Sequence, residues 1–109
     1  MNNHTQNNFN KIVWLTGSAS GVGLHLTDLF QAMNYQVIAT DINETAIHKA
    51  AAEKQWNIDN MLIRKLNVCQ KESWQSVFNE AIERFGKIDL FLNIAGYVKP
   101  GFLLETPLE

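Results

Sequence analysis

The sequence predicts an α/β fold, a doubly wound parallel sheet, and three observations carry that prediction. Segments of strand character alternate with segments of helical period in the order β-α-β-α-β-α-β. The first and fourth strand segments are apolar at consecutive positions without polar alternation, as in strands covered on both faces. Each strand-to-strand passage is long enough to hold a helix, and parallel neighbours need such right-handed crossovers.

The elements follow in order. Residues 1–10 are polar and hold five asparagines, so a frayed tail is expected there, followed by one domain portion over residues 11–109. Ile12-Val13-Trp14-Leu15-Thr16 is a short apolar run that stops at Gly17. Val22, Leu26, Leu29, Phe30 and Met33 recur at helical spacing and predict the inner stripe of a first helix. Gln36-Val37-Ile38-Ala39-Thr40-Asp41 is the second strand. Asn43 is placed to cap a second helix running to about Lys54, with Ala46, Ile47, Ala50 and Ala51 inward. Residues 61–66 form a weaker third strand. Trp74, Val77, Phe78, Ala81, Ile82 and Phe85 mark the clearest amphipathic helix, and Gly86 stands where a left-handed stop is wanted. Residues 88–93 read as the fourth strand. Thr106-Pro107-Leu108-Glu109 has the form of a capping box opening another helix, so the chain is expected to be the N-terminal part of a longer protein.

Composition bounds the function. The chain has 109 residues, 46% of them apolar and 18% charged, which suits one globular domain or part of one. Nine basic against eleven acidic side chains give a net charge of −2, so no global field favours nucleic acid or an anionic membrane. The single cysteine, Cys69, cannot form an intrachain disulfide, and it reads as a half-buried thiol in a reducing, cytoplasmic setting. The three histidines are scattered and show no metal-ligand spacing, so no metal is expected. The N-terminus has no signal-peptide pattern, and no apolar run is long enough to span a bilayer. His25 falls on the polar side of the first helix; Trp74 and Phe85 belong to a core stripe; Trp56 has no assignable role from sequence.

Chemistry concentrates in two loops. Thr16-Gly17-Ser18-Ala19-Ser20-Gly21-Val22-Gly23 joins the first strand to the first helix. One glycine permits the tight turn, another lets the backbone approach a pyrophosphate, and a third lets the helix pack closely. The first helical turn leaves N–H groups unpaired, and the helix dipole favours an anion there. Ser18 and Ser20 are expected to add hydroxyl donors, each bond to a charged phosphate contributing roughly 1.5–3 kcal/mol. Asp41 ends the second strand 18 residues after Gly23 (41 − 23), near the spacing of a ribose-binding acid. Its carboxylate would accept two ribose hydroxyls. It would repel a 2′-phosphate by ~4 kcal/mol at ~4 Å and an effective dielectric of ~20. No Arg or Lys stands within residues 18–20 or 42–44, so NAD is expected over NADP.

The second loop, Asn93-Ile94-Ala95-Gly96, follows the fourth strand. In the strand order 3-2-1-4, both loops border the point where the winding reverses, and ligands bind above the strand ends there. Asn67 and Val68, just after the third strand, would lie beside the adenine, although a strand-end Asn making a turn is nearly as ordinary a role. The candidate cofactor set is completed by Val22, within the glycine loop, and Ile42, next to Asp41.

Taken in order, Thr16-Gly17-x-x-x-Gly21-x-Gly23, Asp41, Asn67-Val68 and Asn93-x-Ala95-Gly96 resemble the short-chain dehydrogenase/reductases over nearly the whole chain. The resemblance implies a Rossmann fold and an NAD(H)-dependent oxidoreductase acting on a small alcohol or carbonyl compound, with the intact protein a homo-oligomer. It implies that Gly17, Gly21, Gly23 and the serines hold the pyrophosphate, Asp41 the ribose, and Asn67 and Val68 the adenine. Asn93, Ala95 and Gly96 would support the sheet and line the nicotinamide-side ribose. Two positions depart: Asn67 stands where the family often has Asp, and Ile94 where it has Asn.

The family's proton-transfer apparatus, a Ser and a Tyr-x-x-x-Lys pair, lies beyond the fourth strand. Neither tyrosine here supplies it, because Ala39 follows Tyr35 by four residues and Gly101 follows Tyr97 by four. The 109 residues alone are therefore expected to be inactive and to carry no catalytic residue, and they are expected to be only marginally stable because the fourth strand would be an uncovered edge. The rival reading is a non-catalytic dinucleotide sensor or scaffold on the same fold. A methyltransferase would want a Gly-x-Gly-x-Gly loop, and a P-loop NTPase a Gly-Lys-Ser/Thr that is absent.

Overall fold

A computed structural model of the chain describes residues 10–94. Its elements are β1 (Ile12–Thr16), α1 (Gly21–Ala32), β2 (Gln36–Asp41), α2 (Glu44–Lys54), a short 3-10 turn (Ile58–Asn60), β3 (Met61–Lys65), α3 (Lys71–Phe85) and β4 (Leu90–Asn93). The four strands form one parallel sheet in the order β3-β2-β1-β4. This is the doubly wound Rossmann arrangement that the sequence predicts. Residues 1–9 of the expected tail and the Thr106–Glu109 capping box, with Ala95 and Gly96, lie outside the described residues.

Period-two alternation in the strands sorts the core into two layers. Val13, Leu15, Val37, Ala39, Met61 and Ile63 face α1 and α2, with Ile47, Ala50 and Ala51 of α2 closing that layer. Ile12, Trp14, Ile38 and Leu62 face α3, against Trp74, Val77 and Ala81. β1 is buried at every position, as its unbroken apolarity predicts.

The helix ends follow local chemistry. The Asn43 side chain accepts the Ala46 N–H at 3.1 Å and caps α2. Gly86 ends α3 in the left-handed region, at φ 86°. Trp56 is buried, and its indole N–H donates to Asp28 at 2.7 Å, tying the segment after α2 to α1.

Three features differ from the sequence reading. The inner face of α1 buries Gly23 and Thr27 and packs Leu26 and Phe30 of the expected stripe against the core, while Val22, Leu29 and Met33 are exposed. The cause is close packing: Gly23 must sit against the Gly17 carbonyl, which turns that face inward and leaves Val22, Leu29 and Met33 outside. Thr27 tolerates burial because its hydroxyl donates to Gly23 O at 2.7 Å. Next, β4 begins at Leu90 rather than at residue 88, and Leu90 and Phe91 are exposed. Among the described residues β4 pairs with β1 alone, so it is an edge strand and its apolar run is only partly covered. Finally, Cys69 is exposed rather than half-buried, because it belongs to the turn before α3.

Two ion pairs and one backbone contact make the fold acid-sensitive. Asp89 accepts the Ile12 N–H at 2.8 Å, and that bond, helped by the Lys87 ammonium, holds its carboxyl below the usual range. The Arg64 guanidinium, paired with Glu80, does the same to Glu80. A carboxylate whose folded value is depressed stabilises the fold above its unfolded value, near ~4, and loses that contribution as pH falls through the folded value. The thermal midpoint should therefore drop between about pH 5 and about pH 3. An Asp89→Ala variant should show a shallower drop, and an unchanged pH dependence in that variant would contradict the assignment.

Candidate functional site

A crevice of about 420 Å³ opens at the carboxyl ends of β1, β2 and β3. Its floor and one wall come from Thr16, Gly17, Ser20 and Val22 of the glycine loop and the start of α1. Asp41 and Ile42 stand at the end of β2, Leu66, Asn67 and Val68 follow β3, and Ile94 follows β4. Its volume lies within the range of small-molecule pockets.

The glycines divide their work by position. Gly17 and Gly21 take positive φ, 70° and 59°, which other L-residues rarely adopt. A Cβ on Gly23 would lie 1.7 Å from the Gly17 carbonyl oxygen, so the helix can approach the turn only without a side chain there. A Cβ on Gly21 would meet nothing within 4 Å, so the requirement at that position is conformational.

The mouth of α1 is electrostatically open. Ser20 is its N-cap, yet its side chain makes no capping hydrogen bond, and the first turn holds no acidic residue. By contrast, α2 and α3 carry Glu44 and Glu72 in their first turns. Unpaired amides at the positive end of a helix, beside an exposed hydroxyl, suit an anion.

The loop is laced to the end of β2. Ser18 N–H donates to Thr40 O at 3.0 Å, and Ala19 N–H donates to the Asp41 carboxylate at 3.0 Å. The other Asp41 oxygen accepts Asn43 N–H at 2.9 Å. Beneath them, the Trp14 indole N–H donates to the Thr40 hydroxyl at 3.0 Å, which in turn donates to Leu15 O at 2.8 Å. At the other end, the Thr16 hydroxyl lies 2.6 Å from the Asn93 side-chain oxygen and accepts Ile94 N–H at 2.9 Å.

The sequence-predicted residues are thus partly brought together. Gly17, Ser20, Val22, Asp41, Ile42, Asn67 and Val68 line the crevice. Gly21 and Gly23 shape its loop from behind. Ser18 does not offer a hydroxyl to the crevice: it is fully buried, and its Oγ donates to Leu15 O at 3.2 Å. The turn after Gly17 points that side chain down into the sheet, a direction that composition does not reveal. Asn67 spends its side-chain oxygen on Cys69 N–H at 3.0 Å, making the turn that was the ordinary alternative, while still bordering the crevice. Asn93 acts through Thr16 instead of lining the space. Thr16, Leu66 and Ile94 are additional wall residues. Their position was available from sequence, since each directly adjoins a residue already singled out at a strand end.

The model of the family described as short chain dehydrogenase matches residues 11–109. The chain belongs to the short-chain dehydrogenase family. It is 30% identical over 99 residues to the 2,5-dichloro-2,5-cyclohexadiene-1,4-diol dehydrogenase of Sphingobium indicum, covering 91% of this chain and 40% of that one. It is 34% identical over 99 residues to the 3-beta-hydroxysteroid dehydrogenase of Comamonas testosteroni, covering 91% of this chain and 38% of that one. A solved short-chain dehydrogenase/reductase from Brucella melitensis superposes with a TM-score of 0.75 at 26% identity, over 83% of this chain and 38% of its own. One from Burkholderia phymatum, in complex with NAD, shares the fold with a TM-score of 0.67 at 21% identity, over 74% of this chain and 29% of its own. This short-chain dehydrogenase chain spans about two fifths of the length of the curated relatives it matches. Among its described residues no helix is long and apolar enough to cross a membrane, and no group of three or more metal-binding side chains occurs.

Proposed function

We propose that this short-chain dehydrogenase chain forms the adenine-side half of an NAD site in a cytoplasmic oxidoreductase. The whole protein would act on a small alcohol or carbonyl compound, with neither nucleic acid nor membrane as partner, and would assemble as a homo-oligomer. Relatives named dehydrogenases and reductases support the reaction class.

One observation carries the reading. The uncapped, acid-free mouth of α1 opens on the same crevice as the Asp41 carboxylate. The residues present fit a dinucleotide: positive-φ glycines and bare amides for the diphosphate, a carboxylate for a ribose, and Ile42, Leu66 and Val68 as apolar walls for an adenine. Bound nicotinamide supplies a hydride acceptor or donor. The chain's own residues supply position. Gly17, Ser20, Gly21 and Val22 hold the diphosphate, and Asp41 orients the ribose through its hydroxyls. Ala95 and Gly96, with Asn93 supporting Thr16, belong to the nicotinamide side. No residue within the 109 is assigned to proton transfer.

NAD and NADP titrations test the site. The wild-type chain should favour NAD, because Asp41 repels a 2′-phosphate. An Asp41→Ala variant should bring the ratio of the two affinities at least about tenfold closer to one, given a repulsion of ~4 kcal/mol before solvent screening. The same ratio before and after substitution would remove Asp41 from the specificity role.

A further inference from the structure

We propose that Asp41 is also a positioning residue for the glycine loop, fixing the loop at Ala19 so that the neighbouring amides of the diphosphate grip are in place before any ligand arrives. This rests on the dinucleotide reading above and adds a second duty to the same carboxylate.

The geometry is specific. Ala19 lies between Gly17 and Gly21, the two loop positions with positive φ, and its N–H donates to Asp41 Oδ2 at 3.0 Å. The preceding amide, Ser18 N–H, donates to the preceding residue of β2, Thr40 O, at 3.0 Å. Two successive loop amides are therefore held by two successive residues at the end of β2. The first acceptor is backbone and survives any substitution; the second is a side chain and does not. Asp41 Oδ1 accepts Asn43 N–H at 2.9 Å, which fixes the direction of the carboxylate from the opposite side. An ionised carboxylate has about four acceptor positions. Two are filled by these amides, and the remaining two match the two hydroxyls of one ribose.

Positioning and charge make opposite predictions for a ligand that never touches Asp41 through hydroxyls. Removing a carboxylate near a diphosphate relieves repulsion, so charge alone would tighten binding. Releasing Ala19 loosens the loop, so positioning predicts weaker binding. Dideoxy-ADP is the probe, because it keeps the adenine and the diphosphate and lacks both ribose hydroxyls. Its affinity would be measured by calorimetry on the 109-residue chain as wild type, Asp41→Ala and Asp41→Asn. Amide hydrogen exchange at Ala19 would be followed in the ligand-free proteins, with Val13 and Val37 in the core as controls for folding.

Asp41→Ala should weaken dideoxy-ADP about tenfold, the equivalent of one charge-assisted hydrogen bond. Ala19 exchange should accelerate by a similar factor while the core amides stay protected. Asp41→Asn keeps one acceptor oxygen and should fall between the two. Unchanged or tighter dideoxy-ADP binding by Asp41→Ala would overturn the proposal, as would unchanged Ala19 exchange. A wild-type chain that binds no adenine nucleotide would instead defeat the dinucleotide reading, and the exchange rates would still decide whether Asp41 holds the loop.

Discussion

Replacing Gly23 with alanine is expected to cost the chain both stability and nucleotide binding, more than the same replacement at Gly21. The added carbon would sit 1.7 Å from the Gly17 oxygen and 2.6 Å from its carbonyl carbon, and both are backbone atoms. No flexible side chain can yield, so either α1 lifts from the turn or the turn opens. Overpacking of this kind costs about 1–3 kcal/mol, and rigid neighbours put it at the upper end. Gly21→Ala is the control. It adds a methyl group to open space at φ 59°, so only the left-handed penalty of about 1–2 kcal/mol applies. Denaturant midpoints and NAD titrations on the two variants separate the mechanisms. Gly23→Ala should lose binding at least about tenfold more than Gly21→Ala, because displacing the turn moves the amides themselves. Equal behaviour of the two variants would show that the close approach does not shape the site.

The contrast between these glycines also explains what the sequence disclosed. A glycine is conspicuous where the backbone needs it, so the loop and its place between β1 and α1 were legible. The doubly wound sheet followed from the alternation of elements together with the handedness of crossovers, and the order 3-2-1-4 was expected as the common one for such a sheet. Asp41 was legible through its distance from Gly23 and its place at a strand end. Side-chain direction within the loop was not. Ser18 and Ser20 look alike in sequence, yet Ser18 is buried against Leu15 O while Ser20 borders the crevice. Only the turn geometry at Gly17 separates them. The buried face of α1 was legible only in part: Leu26 and Phe30 pack inward as hydrophobic periodicity favoured, but the contact between Gly23 and Gly17 turned Val22, Leu29 and Met33 outward. The exposure of Leu90 and Phe91 escaped for a different reason: apolarity says what a strand can bury, not which neighbours it has.

The same lesson applies to Trp74, first read as core and nothing more. It is a core residue: it packs against Trp14 at 5.6 Å between ring centroids and meets Phe91 edge-on at 5.7 Å. Trp74→Ala should therefore destabilise the chain by about 3–5 kcal/mol, a large share of the ~5–15 kcal/mol available to a domain of this size. But its indole N–H also donates to Val68 O at 3.0 Å, and Val68 walls the crevice. Trp74→Phe keeps an aromatic ring in the cluster while removing that bond. It should lower stability by only about 1–2 kcal/mol, the cost of one lost hydrogen bond and a smaller ring. It should also weaken ADP measurably, because the turn bearing Asn67 and Val68 loses an anchor. Calorimetry with ADP and inorganic pyrophosphate locates the effect: ADP affinity should fall while pyrophosphate affinity holds, since the adenine wall and the glycine loop are anchored separately. If both ligands weaken in parallel, Trp74 serves the whole sheet rather than that wall, and its role reduces to packing.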